Sequence, residues 1–277
     1  MTDRLEALWH ARYRNALPDR VDRAVQAGGD LLESLLGHRS VRSYLPDALP
    51  PGTLEKAVAA AQSAATSSNL QSWSVVAVED AARRSRLAAL CGNQAHIAVA
   101  PLFMVWLADL SRVERIATRA GLDHGALDHT ETFLVATIDA ALAAQNAVAA
   151  LEAAGLGTVY IGGLRNHPAE IAKELHLPQR CMGMFGLCVG WPDPGHPASI
   201  KPRLPQDVVL HREHYDPRQE EALIAAYDAC ADTFQKEQGL PSRAWSLTVA
   251  ERLSGAERLG GRETMRESLA ARGFPLA

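Results

Sequence analysis

A layered domain of helices and strands, α+β or α/β, is the fold class this sequence predicts. Three observations predict it. Four runs rich in β-branched and apolar residues, 73–78, 102–107, 158–161 and 184–189, read as strands. Helical patterns alternate with them. The 277 residues are 47% hydrophobic and 22% charged, which is enough apolar material for a large core.

Taken in order, residues 1–29 are polar, hold Pro18 and the Gly28-Gly29 pair, and read as an appended arm with a helical stretch. Asp30 opens the apolar run Leu31, Leu32, Leu35 and Leu36 with Glu33 three residues on. That is a capping-box pattern with Asp in the Ser/Thr place, and Gly37 suits the position past the helix end. Pro51-Gly52-Thr53 starts a second helix over 54–65, with Thr53 as its N-cap. Between the second and third strands runs the longest helical stretch, 131–154, closed by Gly155. At ~1.5 Å per residue it spans roughly 35 Å. Its alanines (Ala136, Ala140, Ala143, Ala144, Ala147, Ala150, Ala154) fall on several faces, so protein surrounds it. It is either a central core helix or one that also packs against a second subunit. Past Pro205 the chain is polar and helical over 218–235, loops at Gly239-Leu240-Pro241 and ends Arg-rich.

Composition excludes several classes. A net charge of −4 offers no global basic field to nucleic acid or an anionic membrane, so a bound anion needs local cations. The apolar stretch 133–151 is broken by Asp139, Gln145 and Asn146 and reads as no membrane span. The opening residues lack the apolar core of a signal peptide. Cys91, Cys181, Cys188 and Cys230 show neither CxxC nor zinc spacing and read as reduced, buried thiols of a cytoplasmic protein. No metal site is expected, because His38, His96, His124, His129, His167 and His176 each lack a ligand partner four residues on. Nucleophile elbows, P-loops and the GxGxxG dinucleotide fingerprint are also missing.

Three segments could carry chemistry. Gly37-His38-Arg39-Ser40-Val41-Arg42 gathers three groups that can be cationic and a hydroxyl, the donor set a phosphate monoester needs. Lys201-Pro202-Arg203-Leu204-Pro205 sets two cations on a stiff backbone, so both heads could meet one anion or simply face solvent. Gly155-Leu156-Gly157-Thr158-Val159-Tyr160-Ile161-Gly162-Gly163-Leu164-Arg165 ends a strand in paired glycines. Those let a flat ligand approach the main chain, or make a tight turn.

In order along the chain, these segments resemble the FMN-dependent nitroreductase superfamily. They are joined by Ala65-Thr66-Ser67-Ser68-Asn69-Leu70-Gln71, Gly92-Asn93-Gln94-Ala95-His96, Ala144-Gln145-Asn146 and Leu187-Cys188-Val189-Gly190-Trp191-Pro192. The likeness covers about residues 30–210 and is nearest to the oxygen-insensitive, NADPH-dependent nitroreductase and flavin reductase branch. It implies an α+β sandwich with a mixed, mainly antiparallel sheet flanked by helices, in an intertwined homodimer. The arm would be 1–29, the FMN-binding core 30–210, and a helical extension with the nicotinamide and substrate loop 211–277.

Carried over by position, the resemblance puts His38, Arg39, Ser40, Lys201 and Arg203 on the FMN phosphate. Arg42 would sit near N1 and the C2 carbonyl of the ring, stabilising negative charge there. Gln94 would bond the pyrimidine edge. The Gly162-Gly163 main chain would reach N5 and O4, with Tyr160 and Ile161 bordering the ring. Ser67 and Ser68 would come from the partner subunit. The implied reaction is ping-pong: NADPH or NADH gives hydride to FMN, then a nitroaromatic, a quinone or free flavin takes two electrons. No side chain need act as acid or base. Alternatives are a flavin reductase supplying reduced FMN and a flavin-binding protein without turnover. Arg243 is the candidate for the NADPH 2′-phosphate, with Gln238 standing where the branch has another arginine, and Arg262 is the candidate facing the substrate slot.

Overall fold

The computed structural model describes residues 2–15 and 29–277; Pro18 and Gly28 of the arm lie outside the described residues. The helices and strands run α1 (Thr2–Tyr13), α2 (Gly29–Leu36), α3 (Thr53–Gln62), β1 (Trp73–Val78), α4 (Ala81–Leu90), α5 (Ala95–Val99), β2 (Leu102–Asp109) and α6 (Ser111–Ala120). There follow α7 (Thr130–Ala153), β3 (Gly157–Ile161), α8 (Pro168–Glu174), β4 (Cys181–Gly190), α9 (Gln206–Val209), α10 (Glu220–Glu237), α11 (Trp245–Arg252) and α12 (Met265–Ala271). Packing groups them into two compact units. One comprises Met1–Arg39 with Ser199–Leu259, the other Ser40–Ala198 with Gly260–Ala277.

In the larger unit the four expected strands form one sheet, ordered β1-β2-β4-β3. Every strand pair is antiparallel, and a parallel element enters as a single bridge between Ser40 and Thr158. All eight residues of β2 are buried, which is why that strand reads as a continuous apolar run rather than an alternation. Leu87, Ile97, Phe103, Val105, Ile161, Leu164 and Ile171 pack on one side of the sheet. On the other, α7 lays Ala140, Ala143, Ala144, Ala147 and Leu151 against Trp106, Leu187 and α3, whose Ala57 and Ala61 permit close approach. At 24 residues α7 is about 36 Å long. By length and composition it could cross a membrane. Its buried alanines instead make it a wall of the core, and Gly155 ends it in the left-handed region at φ 83°.

Two expected caps differ. Helix α3 is capped by Gly52 at φ 82°, not by Thr53, whose hydroxyl instead donates to the Pro50 carbonyl at 2.7 Å. Asp30 is itself helical within α2 rather than standing ahead of the helix as its cap. Helix α3 also stops at Gln62, short of 65, where the Ser63 hydroxyl donates to the Ala59 carbonyl at 2.9 Å.

In the smaller unit, Trp9 of α1 and Leu36 of α2 are buried together, with Leu8, Tyr13 and Leu32 packed on them. Arg14 forms a bidentate pair with Glu237 at the end of α10, at 2.8 and 3.2 Å. Tyr227 of α10 meets Trp245 of α11 edge to face at 5.4 Å. The four cysteines are unbonded; Cys91, Cys181 and Cys188 are buried and Cys230 partly so.

Candidate functional site

The smaller unit carries four of the predicted phosphate groups. His38 and Arg39 leave the end of α2, where the His38 N–H bonds to the Leu35 carbonyl at 3.2 Å. Pro202 is buried between exposed Lys201 and Arg203. The Tyr227 hydroxyl donates to the Pro202 carbonyl at 2.9 Å and pins the segment from beneath. The Arg203 guanidinium reaches the same Pro202 carbonyl at 3.5 Å, so its charge lies near the Tyr227 hydroxyl. The Arg203 guanidinium also bonds back to the Lys201 carbonyl at 3.0 Å. Farther along, Arg243 is exposed and its guanidinium is paired with Glu251; its N–H is held by Gln235 Oε1 at 2.9 Å.

The larger unit carries the predicted ring contacts. At the end of β3, Tyr160 is 38% exposed and packs on Phe185 edge to face at 5.4 Å. Burial, then the charge of Glu152, pushes its phenol well above the ordinary range. It stays neutral and donates to Gln145 Oε1 at 3.4 Å. Ile161, by contrast, is 1% exposed and belongs to the core. Along the strand Tyr160 points outward and Ile161 inward, so at the end of β3 Ile161 presents its main chain.

Gly162 and Gly163 begin the turn after β3, and the reason for glycine at 163 is direct. A Cβ there would stand 2.5 Å from the Cys91 carbonyl oxygen and 2.7 Å from Gln94 Nε2. The turn is therefore seated on the 91–94 loop, and Gln94 donates to that same Cys91 carbonyl at 2.7 Å, keeping its own oxygen for another partner. Beside Gly162 stand two guanidinia. Arg165 bonds the Met184 carbonyl, and Arg262 is fixed by Asn166 Oδ1 at 3.0 Å. Burial and the neighbouring Arg262 charge lower the Arg165 pKa, so this corner of the unit is electropositive.

Arg42 is exposed, with one contact at 3.5 Å to the Ser40 carbonyl. Burial and the Arg42 charge depress the pKa of His96, whose Nε2 is buried with no hydrogen-bond partner among the described residues. A buried, unpaired polar atom beside a solvent-facing cation marks a place where a ligand can complete the hydrogen bonding.

Ser67 and Ser68 are exposed on a loop that sequence reasoning placed but did not explain. Ser68, Asn69 and Gln71 all take positive φ, at 48°, 54° and 49°. Asp139, 1% exposed on α7, holds this backbone by accepting from the N–H of Ser67 at 3.1 Å and of Ser72 at 3.2 Å. The sequence showed Asp139 only as an interruption of an apolar helix; a lone carboxylate there was the signal that could have found it.

An open groove of about 580 Å³ in the smaller unit is lined by Glu220, Glu221, Asp228 and Ser246. Its acidic wall repels phosphate, and it contains none of the predicted residues.

The profile of the nitroreductase family matches residues 35–191, and that of the nitroreductase family C-terminal domain matches 201–277. The oxygen-insensitive NADPH nitroreductase of Salmonella typhimurium is 38% identical over 217 residues, covering 78% of this chain and 87% of that one. The NADPH FMN reductase of Bacillus subtilis is 37% identical over 224 residues, covering 78% and 88%. The solved structure of NfrA2 from B. megaterium superposes with a TM-score of 0.84 at 35% identity, covering 90% of this chain and 99% of the other.

Proposed function

The chain belongs to the nitroreductase family, and on that premise we propose that it is an FMN-dependent oxidoreductase passing two electrons from NAD(P)H to nitroaromatics, quinones or similar flat acceptors. The observation that carries this reading is the Gly162-Gly163 turn. Glycine at 163 lets the turn seat against Gln94 where no side chain fits, which sets the Gln94 amide beside the end of β3, whose last outward side chain is Tyr160. Within the larger unit, the orphaned His96 Nε2 beside Arg42 suits a hydrogen-bonding ring edge; within the smaller unit, the exposed Arg39, Lys201 and Arg203 suit a dianionic group.

We assign the phosphate to His38, Arg39, Ser40, Lys201 and Arg203, and the ring to Arg42, Gln94, Tyr160, Gly162, Gly163 and the main chain of Ile161. FMN, when bound, supplies the hydride chemistry. The protein's part is orientation and field: Arg42 places a fixed cation at the pyrimidine edge, and Gln94 presents an acceptor there. Tyr160, neutral and tied to Gln145, limits the ring on one side without moving a proton. On this reading residues 30–210 hold FMN, and 211–277 bring Arg243 to the nicotinamide donor and Arg262 to the acceptor.

A homodimer belongs to the same proposal. Leu134, Ile138 and Leu142 recur every four residues along α7 and are 48%, 56% and 45% exposed. An apolar helical stripe of this kind is covered by protein, here by a second copy, which would also bring its Ser67 and Ser68 to the ring. Unbonded, mostly buried thiols support a cytoplasmic setting.

The test is anaerobic. Purified protein should be yellow with FMN, bleach on NADPH, and recover its colour on a nitroaromatic or quinone. No bleaching would leave a flavin-binding protein without turnover. The likeness to an FMN reductase favours a second acceptor, free FMN. Faster recovery with free FMN than with any nitro compound or quinone would establish that reading instead.

A further inference from the structure

We propose that Arg12, on the N-terminal helix ahead of both family-matched stretches, is a positioning residue that sets the spacing of the two cationic segments. The inference rests on the phosphate assignment above. Arg12 lies in the last turn of α1 and is 5% exposed. Its Nη2 donates to the carbonyls of Leu36 at 3.0 Å and His38 at 2.7 Å, and its Nη1 donates to the carbonyl of Lys201 at 2.7 Å. Its own carbonyl accepts the N–H of Arg203 at 2.9 Å. One residue thus bonds the main chain of His38, Lys201 and Arg203, three of the five groups assigned to the phosphate.

The segments it joins are far apart in sequence and belong to no common sheet or helix, so nothing in regular secondary structure fixes their separation. A guanidinium suits this role because it is planar, permanently charged and carries five donors in a rigid fork, so it can hold several carbonyls at set angles. Buried behind exposed Arg39, Lys201 and Arg203, it also adds to the positive potential a dianion meets. The helix that carries it is anchored independently, by Trp9 against Leu36 and by the Arg14–Glu237 pair. The segment 2–15 therefore acts as a strut behind the phosphate groups.

The test is titration of flavin-stripped, full-length protein with FMN and with riboflavin, which has the same ring but no phosphate. Arg12→Gln should weaken FMN binding on the order of 10- to 100-fold, as expected for several lost charge-assisted bonds, and leave riboflavin binding within about 2-fold. Arg12→Lys, keeping charge but not the fork, should fall between, and it serves if Arg12→Gln does not fold. Equal loss of both flavins would overturn the proposal, because Arg12 would then support the fold at large. So would unchanged FMN binding in Arg12→Gln when Lys201→Ala/Arg203→Ala has lost FMN and kept riboflavin. If that double variant still binds FMN like the wild type, the phosphate assignment itself fails, and the role of Arg12 with it.

Discussion

Replacing Gly163 by alanine adds one methyl group where the protein has no room for it. The new Cβ would lie 2.5 Å from the Cys91 carbonyl oxygen and 2.7 Å from Gln94 Nε2. Ordinary contact begins near ~3.5 Å, so the neighbours must retreat by about 1 Å. Cys91 offers backbone, which is anchored by its N–H bond to the Leu87 carbonyl at 2.9 Å and cannot swing aside. Overpacking of this kind costs ~1–3 kcal/mol, and loss of the Gln94–Cys91 bond adds ~0.5–1.5 kcal/mol. Gly163→Ala should therefore destabilise the protein by about 2–4 kcal/mol and dislodge the Gln94 amide from its place. Urea unfolding gives the first number, and fluorescence titration with FMN and riboflavin gives the second effect. Both flavins should weaken together, since the damage lies under the ring and not at the phosphate. Gly162→Ala is the control. Its nearest atoms beyond its chain neighbours are the ends of Arg165 and Arg262, at 3.7 and 3.9 Å, so the fold should tolerate it. Unchanged stability and flavin affinity in Gly163→Ala would refute the claim that this turn is seated on the 91–94 loop.

Arg243→Ala should raise KM for NADPH about 5- to 30-fold, leave NADH nearly unchanged and keep FMN bound; equal loss of both donors would refute its assignment to the 2′-phosphate. Because Glu251 already engages this guanidinium, Glu251→Gln should lower KM for NADPH by up to about 5-fold at low salt, and less at high salt. Burial would raise the pKa of Asp109, but bonds from Ser111 and Ser74 and the nearby Arg112 hold it below the usual carboxylate range. Its stabilising contribution is present above the unfolded pKa of about 4 and is lost as pH falls through the lower folded value. Asp109→Asn should accordingly lower stability at pH 7 and flatten its decline toward acid, measured as urea midpoints; an unchanged acid slope would refute this. The exposed stripe on α7 predicts a dimer by light scattering at micromolar concentration, and Ile138→Glu should yield monomers with weakened flavin binding. A wild-type monomer that still holds FMN would contradict the shared site.

What could be read from the sequence was whatever a short window of residues encodes. β1 falls at the expected residues because 73–78 is β-branched and apolar between turn signals. β2 and β4 extend past the expected ends because buried central strands tolerate small residues such as Ala108 and Gly183 that a local reading leaves out. The alanine-rich helix was legible from composition, and the family from segments recurring in order, although each alone was weak. The cap at Gly52 was not legible, since neighbouring turn geometry chose among several acceptable residues. Nor were Asp139 and Arg12. Each is a single charge whose meaning depends on main chain brought to it from up to 72 and 189 residues away. Local pattern sets which elements form, because burial periodicity is a property of neighbours in sequence. Which buried charge satisfies which backbone was decided only by the tertiary structure, because an unpaired polar group costs the most where the chain has already closed around it.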